Sequence, residues 1–159
     1  MTDDASFEDG GEAPLRLRAL DGEDLQVLSS LVQDAVFPVS EITWRVRERR
    51  FALLLNRFRW EDAGRAEARR RSYERVQSVL VIEDAMRVRS QGVDPSDADM
   101  ILSLLSLDWA PGEDGTGTLT LVLAGDGAIA IEVEALEVLL ADVTRPYAAP
   151  SRKAPDHGA

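Results

Sequence analysis

The chain has 159 residues, 45% of them hydrophobic, with three Trp, four Phe and no cysteine. That length suits one domain with a sizeable core, and the lack of cysteine excludes disulfides, thiolate metal sites and a cysteine nucleophile. The net charge of −11 is sorted into blocks: residues 1–44 carry −8, residues 45–89 carry +6 from 13 of the 18 basic residues, and residues 90–159 carry −9. A basic middle between acidic ends is either an internal electrostatic clasp or a docking surface for an anionic partner. Only Lys153 among the basic residues is lysine. Arginine supplies a rigid fork of donors that matches carboxylate or phosphate.

The first residues, Met1 to Asp9, are acidic where a secretory leader would be basic and then apolar. No apolar run approaches the roughly 18 residues of a membrane span, so the expectation is a soluble, cytoplasmic protein without membrane attachment. Residues 1–13 offer almost nothing to bury and read as a disordered acidic tail, residues 14–147 as one folded domain, and 148–159 as a flexible C-terminal tail.

In chain order, Leu15 to Leu20 alternates at period two, as a half-buried strand does. Asp21-Gly22-Glu23-Asp24 supplies a turn and N-cap, and Leu25, Leu28, Leu31 and Val32 fall at helical spacing, predicting a helix over 23–34. A hairpin follows, with Ile42, Trp44 and Val46 facing Leu55, Leu53 and Phe51 in that order. Strict alternation beyond Leu55 would bury Arg57 and Arg59 and expose Phe58 and Trp60. A bulge near Asn56-Arg57 would reverse that phase, and the expectation is therefore an outer face carrying Arg45, Arg57 and Arg59 in solvent.

Residues 61–72 lack apolar periodicity and read as an exposed connection. Strands are expected over 76–82 and 85–91, a loop over 94–99, and helix passing into strand over 100–109. Leu119, Leu121 and Leu123 alternate up to Gly125-Asp126-Gly127, and Ile129, Ile131 and Val133 alternate away, a hairpin with a tight turn. Residues 135–143 close the fold as a short helix or a packing strand. A faint echo between the unit starting at Arg16 and that starting at Arg87 raises a duplication.

The chemistry is narrowed mainly by exclusion. His157, the only histidine, lies two residues from the end, so a preorganised Ser-His-Asp triad and histidine metal sites are excluded. Asp94, Asp97 and Asp99 lack the glycine and terminal glutamate of an EF-hand, and Gly112, Gly115 and Gly117 precede a strand rather than a phosphate-binding helix. Glu132 and Glu134 are two apart on a strand, placed as a carboxylate pair or as partners for the arginine face. Arginines interleave with Trp44, Phe58 and Trp60 as in single-strand nucleic-acid binders, but the expected phase separates aromatics from arginines and the overall charge repels a polyanion.

The runs Leu15 to Asp21, Ser29 to Ala35, Arg49 to Leu53, Asn56 to Glu61, Val88 to Asp94, Leu102 to Leu105, Gly127 to Ile129 and Glu132 to Glu134 resemble an uncharacterised alphaproteobacterial family, the domain of unknown function numbered 2948. Gln33-Asp34-Ala35 and Asn56-Arg57-Phe58 are the most specific pieces, and the resemblance spans residues 15 to 147. It implies a small bacterial cytoplasmic protein of unassigned activity, with no catalytic residues to carry over.

The fold expected is α+β and mainly antiparallel sheet, as a partly closed pleckstrin-homology-like barrel or a duplicated two-layer sandwich, with an N-terminal helix and one or two short ones. The leading function is a non-enzymatic binding or assembly module, a homodimer or one meeting an acidic protein partner, through Arg45, Arg57, Arg59, Glu132 and Glu134. No cofactor and no metal are expected. The rivals are an Asp/Glu-dependent enzyme acting on an anionic small molecule and, disfavoured by charge, a single-stranded nucleic-acid binder.

Overall fold

Period-two alternation dominates the sequence, and the computed structural model, which describes residues 14–62, 74–143 and 147–148, turns nearly all of it into antiparallel sheet. The strands are β1 (Arg16–Ala19), β2 (Val36–Pro38), β3 (Ile42–Arg45), β4 (Arg50–Phe58), β5 (Glu74–Ile82), β6 (Ala85–Gln91), β7 (Ile101–Pro111), β8 (Gly117–Leu123), β9 (Ala128–Val133), β10 (Val138–Asp142) and β11 (Tyr147–Ala148). They follow one path, β1-β10-β5-β4-β2-β7-β8-β9-β6, with β3 beside β4 and β11 beside β5. The path does not close, since β1 and β6 stand at its ends. The expectations for residues 1–13 and 149–159, and for most of the connection after Asp62, lie outside the described residues.

The long sheet turns back on itself through the Glu83-Asp84 corner between β5 and β6. The corner is knitted by three amides: Glu83 donates to the Glu137 carbonyl, Ala85 to Arg49 and Glu134 to Asp84, at 2.9 to 3.0 Å. The inward side chains, among them Phe37, Phe51, Leu53, Leu80, Ile82, Leu104, Leu119, Leu121, Ile131, Val138 and Leu140, form one apolar core. Each fully buried aliphatic or aromatic side chain contributes on the order of 1.5–3 kcal/mol through removal from water.

One α-helix is present among the described residues, α1 (Gly22–Leu31). Asp21 caps it, its carboxylate accepting from the Asp24 amide at 2.8 Å, and Glu23 and Asp24 place negative charge in the first turn, where the helix dipole favours it. Leu25 and Leu28 are buried, and the helix packs on β7 and β1. Ser29 accepts from the Leu107 amide at 2.9 Å, tying the helix to β7. The short helix expected near 100 and the one left open at 135–143 are strand instead, as β7 and β10, and the described residues carry 3-10 turns at Val39–Glu41 and Trp60–Asp62, where none was expected.

Three local expectations are corrected. The 42–55 hairpin pairs Ile42 with Leu53 and Trp44 with Phe51, two residues away from the expected register. Val46 joins a turn closed by the Arg49 amide on the Val46 carbonyl at 3.1 Å, with Arg49 at φ 56, and so is exposed rather than buried. Residues 101–111 are strand throughout, without the expected helical start. The helix-like spacing of Leu102, Leu104 and Leu105 comes from a bulge between Leu104 and Ser106, which turns Leu105 outward while Leu104 and Leu107 stay buried. Finally, β4 pairs with β5 without interruption from Phe51 to Phe58, so the bulge expected near Asn56-Arg57 is absent. The C-terminal hairpin forms as expected, turning through Gly125 and Asp126, both at positive φ.

Tight packing of Trp109 over Gly117 yields a direct test. A β-carbon there would overlap the indole and lie 2.7 Å from the Ala110 carbonyl oxygen. Gly117→Ala should lower stability by about 1–3 kcal/mol, read as a fall in the urea or thermal midpoint.

Candidate functional site

Unbroken alternation in β4 carries Arg57 and Arg59 to the inside, contrary to the expectation that both face solvent; Arg57 is completely buried and Arg59 nearly so. The physical reason is a set of partners one side-chain row away on the neighbouring strands. Ser78 on β5 and Asp142 on β10 also occupy inward positions, and Glu61 returns from the 3-10 turn that follows β4. Arg57 Nε donates to Ser78 Oγ at 3.0 Å and to Asp142 Oδ1 at 3.3 Å. Its Nη1 donates to the Phe58 carbonyl at 3.1 Å and to Glu61 Oε1 at 3.0 Å. Its Nη2 donates to Glu61 Oε2 and Asp142 Oδ1, both at 3.0 Å. All five guanidinium N–H bonds are thereby used.

The acids are equally engaged. Asp142 Oδ1 accepts from Ser78 Oγ at 2.7 Å, and Oδ2 from the Leu15 amide at 2.8 Å. Arg59 lies 3.7 Å from Glu61 and 3.8 Å from Asp142, so two cations face two anions. Burial by itself would lower the Arg57 pKa, but the hydrogen bonds and charge of Glu61, with those of Asp142, more than offset it and hold Arg57 above its ordinary value. For Glu61 burial pushes upward, and the Arg57 hydrogen bonds and charge win, holding the carboxyl below the usual range. A carboxylate so held is a weak general base near neutral pH. The cluster's chemistry is to lock β4, β5 and β10 together with the entry to β1.

The remaining expected site residues are scattered. Arg45 is exposed, at the far end of the hairpin from Arg57. Glu132 pairs with Arg89 at 3.5 Å and Glu134 with Arg49 at 2.8 Å, so neither meets Arg45, Arg57 or Arg59. Reading the sequence by residue type missed Glu61, Ser78 and Asp142. Their signal was phase: Ser78 interrupts the buried series Val76, Leu80, Ile82, and Asp142 ends the series Val138, Leu140. Among the described residues no group of three metal-binding side chains forms. Asp94 instead accepts from the Ser96 amide and hydroxyl at 3.0 and 2.7 Å, which lowers its pKa and makes a local turn.

The same phase decides what faces outward from β1, β10, β5, β4 and β3. Register aligns Arg18, Leu139, Val81, Ala52 and Thr43 in one row, and Arg16, Ala141, Val79 and Leu54 in the next. These rows form a mostly apolar band with arginine at one margin. The band continues into a groove of about 300 Å³ lined by Val36, Pro38, Glu41, Leu54, Gln77 and Ile101, where Ile101 is 63% exposed. Farther along, Phe58 and Trp60 lie 5.4 Å apart, Arg75 stacks 4.3 Å from the Phe58 ring, and Trp60 Nε1 donates to the Gln33 carbonyl at 2.8 Å. Aromatics and a cation thus share the outer face, the reverse of the expected separation.

Two substitutions test the clasp. Asp142→Ala leaves Arg57 buried without its central anion and should cost about 3–5 kcal/mol in urea unfolding. The lowered Glu61 pKa means its contribution is present at neutral pH and is lost as pH falls from the unfolded-state value through the folded one. The stability gap between wild type and Glu61→Gln should therefore be largest near pH 7 and shrink in acid, as measured by urea midpoints across pH.

No helix of the described residues is long and apolar enough to cross a membrane. No curated protein and no solved structure matches the chain. A family defined as "Protein of unknown function (DUF2948)" matches residues 15–157, nearly the whole chain. This protein belongs to the DUF2948 family.

Proposed function

We propose that the protein is a non-enzymatic binding or assembly module whose contact surface is the outer face of β10, β5 and β4, not an arginine face containing Arg57 and Arg59. The observation that carries this reading is the band of Ala52, Leu54, Val79, Val81 and Leu139 on the solvent side of three adjacent strands, with no described helix or strand packed over it. Contiguous outward apolar surface rimmed by polar residues marks interaction sites. Arg16, Arg18 and Arg45 stand at its edges and would favour acidic groups on the partner.

In affinity capture from the native host, Val79→Asp should remove the partners retained by wild type, while Arg87→Glu on the distant strand β6 should not. Identical partner sets for wild type and Val79→Asp would overturn the reading.

The outward Phe58, Trp60 and Arg75 favour a second reading, single-stranded nucleic-acid binding by stacking. The net charge of −11 opposes it. That reading requires a labelled single-stranded oligonucleotide to be retained at about 50 mM salt and released steeply as salt rises.

A further inference from the structure

We propose that the occupant of the outer face is a second copy of this chain, packed sheet on sheet about a two-fold axis that runs along β5; this rests on the docking role proposed for that face. Rotation about such an axis keeps the level along the strands and exchanges the two sides of the sheet. β10 then lies over the partner's β4, and β1 over the partner's β3.

The side chains fit that operation in size. Leu139 meets the partner's Ala52, and Ala141, which points outward but is only 7% exposed, lies under the partner's Leu54, so each large side chain faces a small one, and each contact occurs twice. Val79 and Val81, on the axis, meet their own copies. All six positions follow from the observed registers Leu139 with Val81 and Ala52, and Ala141 with Val79 and Leu54. Alternation of large and small across facing layers is what lets two sheets interdigitate at about 10 Å.

The charges fit it too. Arg16 stands beside Ala141 on the β1 side, and Glu41 lines the groove beside Leu54 on the β3 side. Both are exposed, and neither makes an ion pair among the described residues. The same rotation brings Arg16 over the partner's Glu41, twice. At the corner end Glu137 comes over the partner's Arg50, and Glu83 meets its own copy with its charge already held by Arg50 at 3.1 Å. Isologous pairing needs this kind of self-complementarity, in which i meets j and j meets i.

The footprint follows from the registers: five strands about 4.8 Å apart and three outward rows about 6.7 Å apart cover roughly 24 by 20 Å, on the order of 480 Å² per copy as a flat area, which side-chain relief raises toward the roughly 800 Å² of a standard interface.

Sedimentation equilibrium of the full chain tests this. Wild type should sediment at twice the 17.5 kDa chain mass at about 50 µM. Val79→Asp should sediment at the chain mass. Arg16→Glu and Glu41→Arg are surface changes that should each weaken the dimer roughly 10-fold, and the double reversal should restore it to within about 3-fold of wild type. Circular dichroism confirms that each variant is folded, and the Arg16 and Glu41 arms decide the matter if Val79→Asp is not. A folded wild type that stays at the chain mass up to about 500 µM, or a double reversal weaker than either single change, overturns the proposal. If wild type is monomeric yet Val79→Asp strips other proteins in affinity capture, the second copy is wrong and the docking face stands. If wild type is monomeric and capture is unchanged, both fall.

Discussion

The complete burial of one guanidinium group sets the constraints for half of this molecule. Arg57 reaches three strands and a turn: its own β4, Ser78 on β5, Asp142 on β10 and Glu61 beyond β4. Through Asp142 it also fixes the amide of Leu15 at the entrance to β1. Removing such an ion from water costs several kcal/mol, and only a complete set of hydrogen bonds and opposite charge offsets that. For Arg57 the set is complete, and two anions stand against the two cations. Because the requirement is so stringent, the level at which β4, β5 and β10 meet is fixed, and with it every row of side chains on both faces of the sheet.

The outer face inherits its character from that constraint. Had a bulge carried Arg57 outward, Phe58 and Trp60 would have joined the core and the outer surface would have been a field of arginine. With Arg57 inside, the odd-numbered residues of β4 line the core, and the even-numbered ones, Ala52, Leu54, Asn56 and Phe58, face out beside Val79 and Val81. A sheet whose two sides both carry apolar residues has a core on one side and a candidate interface on the other.

The charge blocks acquire a structural meaning in the same way. Asp142 comes from the acidic C-terminal block and serves the clasp, while Glu132, Glu134 and Glu137 of that block pair with Arg89, Arg49 and Arg18. The exposed pairs contribute at most about 1 kcal/mol each, so their role is local. Of the two meanings open to a basic middle between acidic ends, the internal clasp accounts for Arg57 and Arg59. Among the described residues, Arg45 of the basic middle and Arg16 of the acidic start are exposed at edges of the sheet, on β3 and β1.

Local physics was legible in the chain. Capping by Asp21, the 3.6-residue spacing of Leu25 and Leu28, the 119–133 hairpin around Gly125-Asp126, and strands at 76–82 and 85–91 all rest on neighbours within a few residues, and all form. What failed depended on residues far away. The spacing of Leu102, Leu104 and Leu105 looks helical until the pairing of β7 with β8 places a bulge there. The phase of residues 56–60 looks wrong for Arg57 until Asp142, 85 positions later, arrives beside it. The sequence by itself determined a sheet-dominated α+β domain and its family, because alternation and capping are written in adjacent residues. Which arginines are buried, which aromatics face water and what surface is left for a partner were decided only by the tertiary structure, because the cost of burying a charge depends on whether distant strands bring it an opposite one.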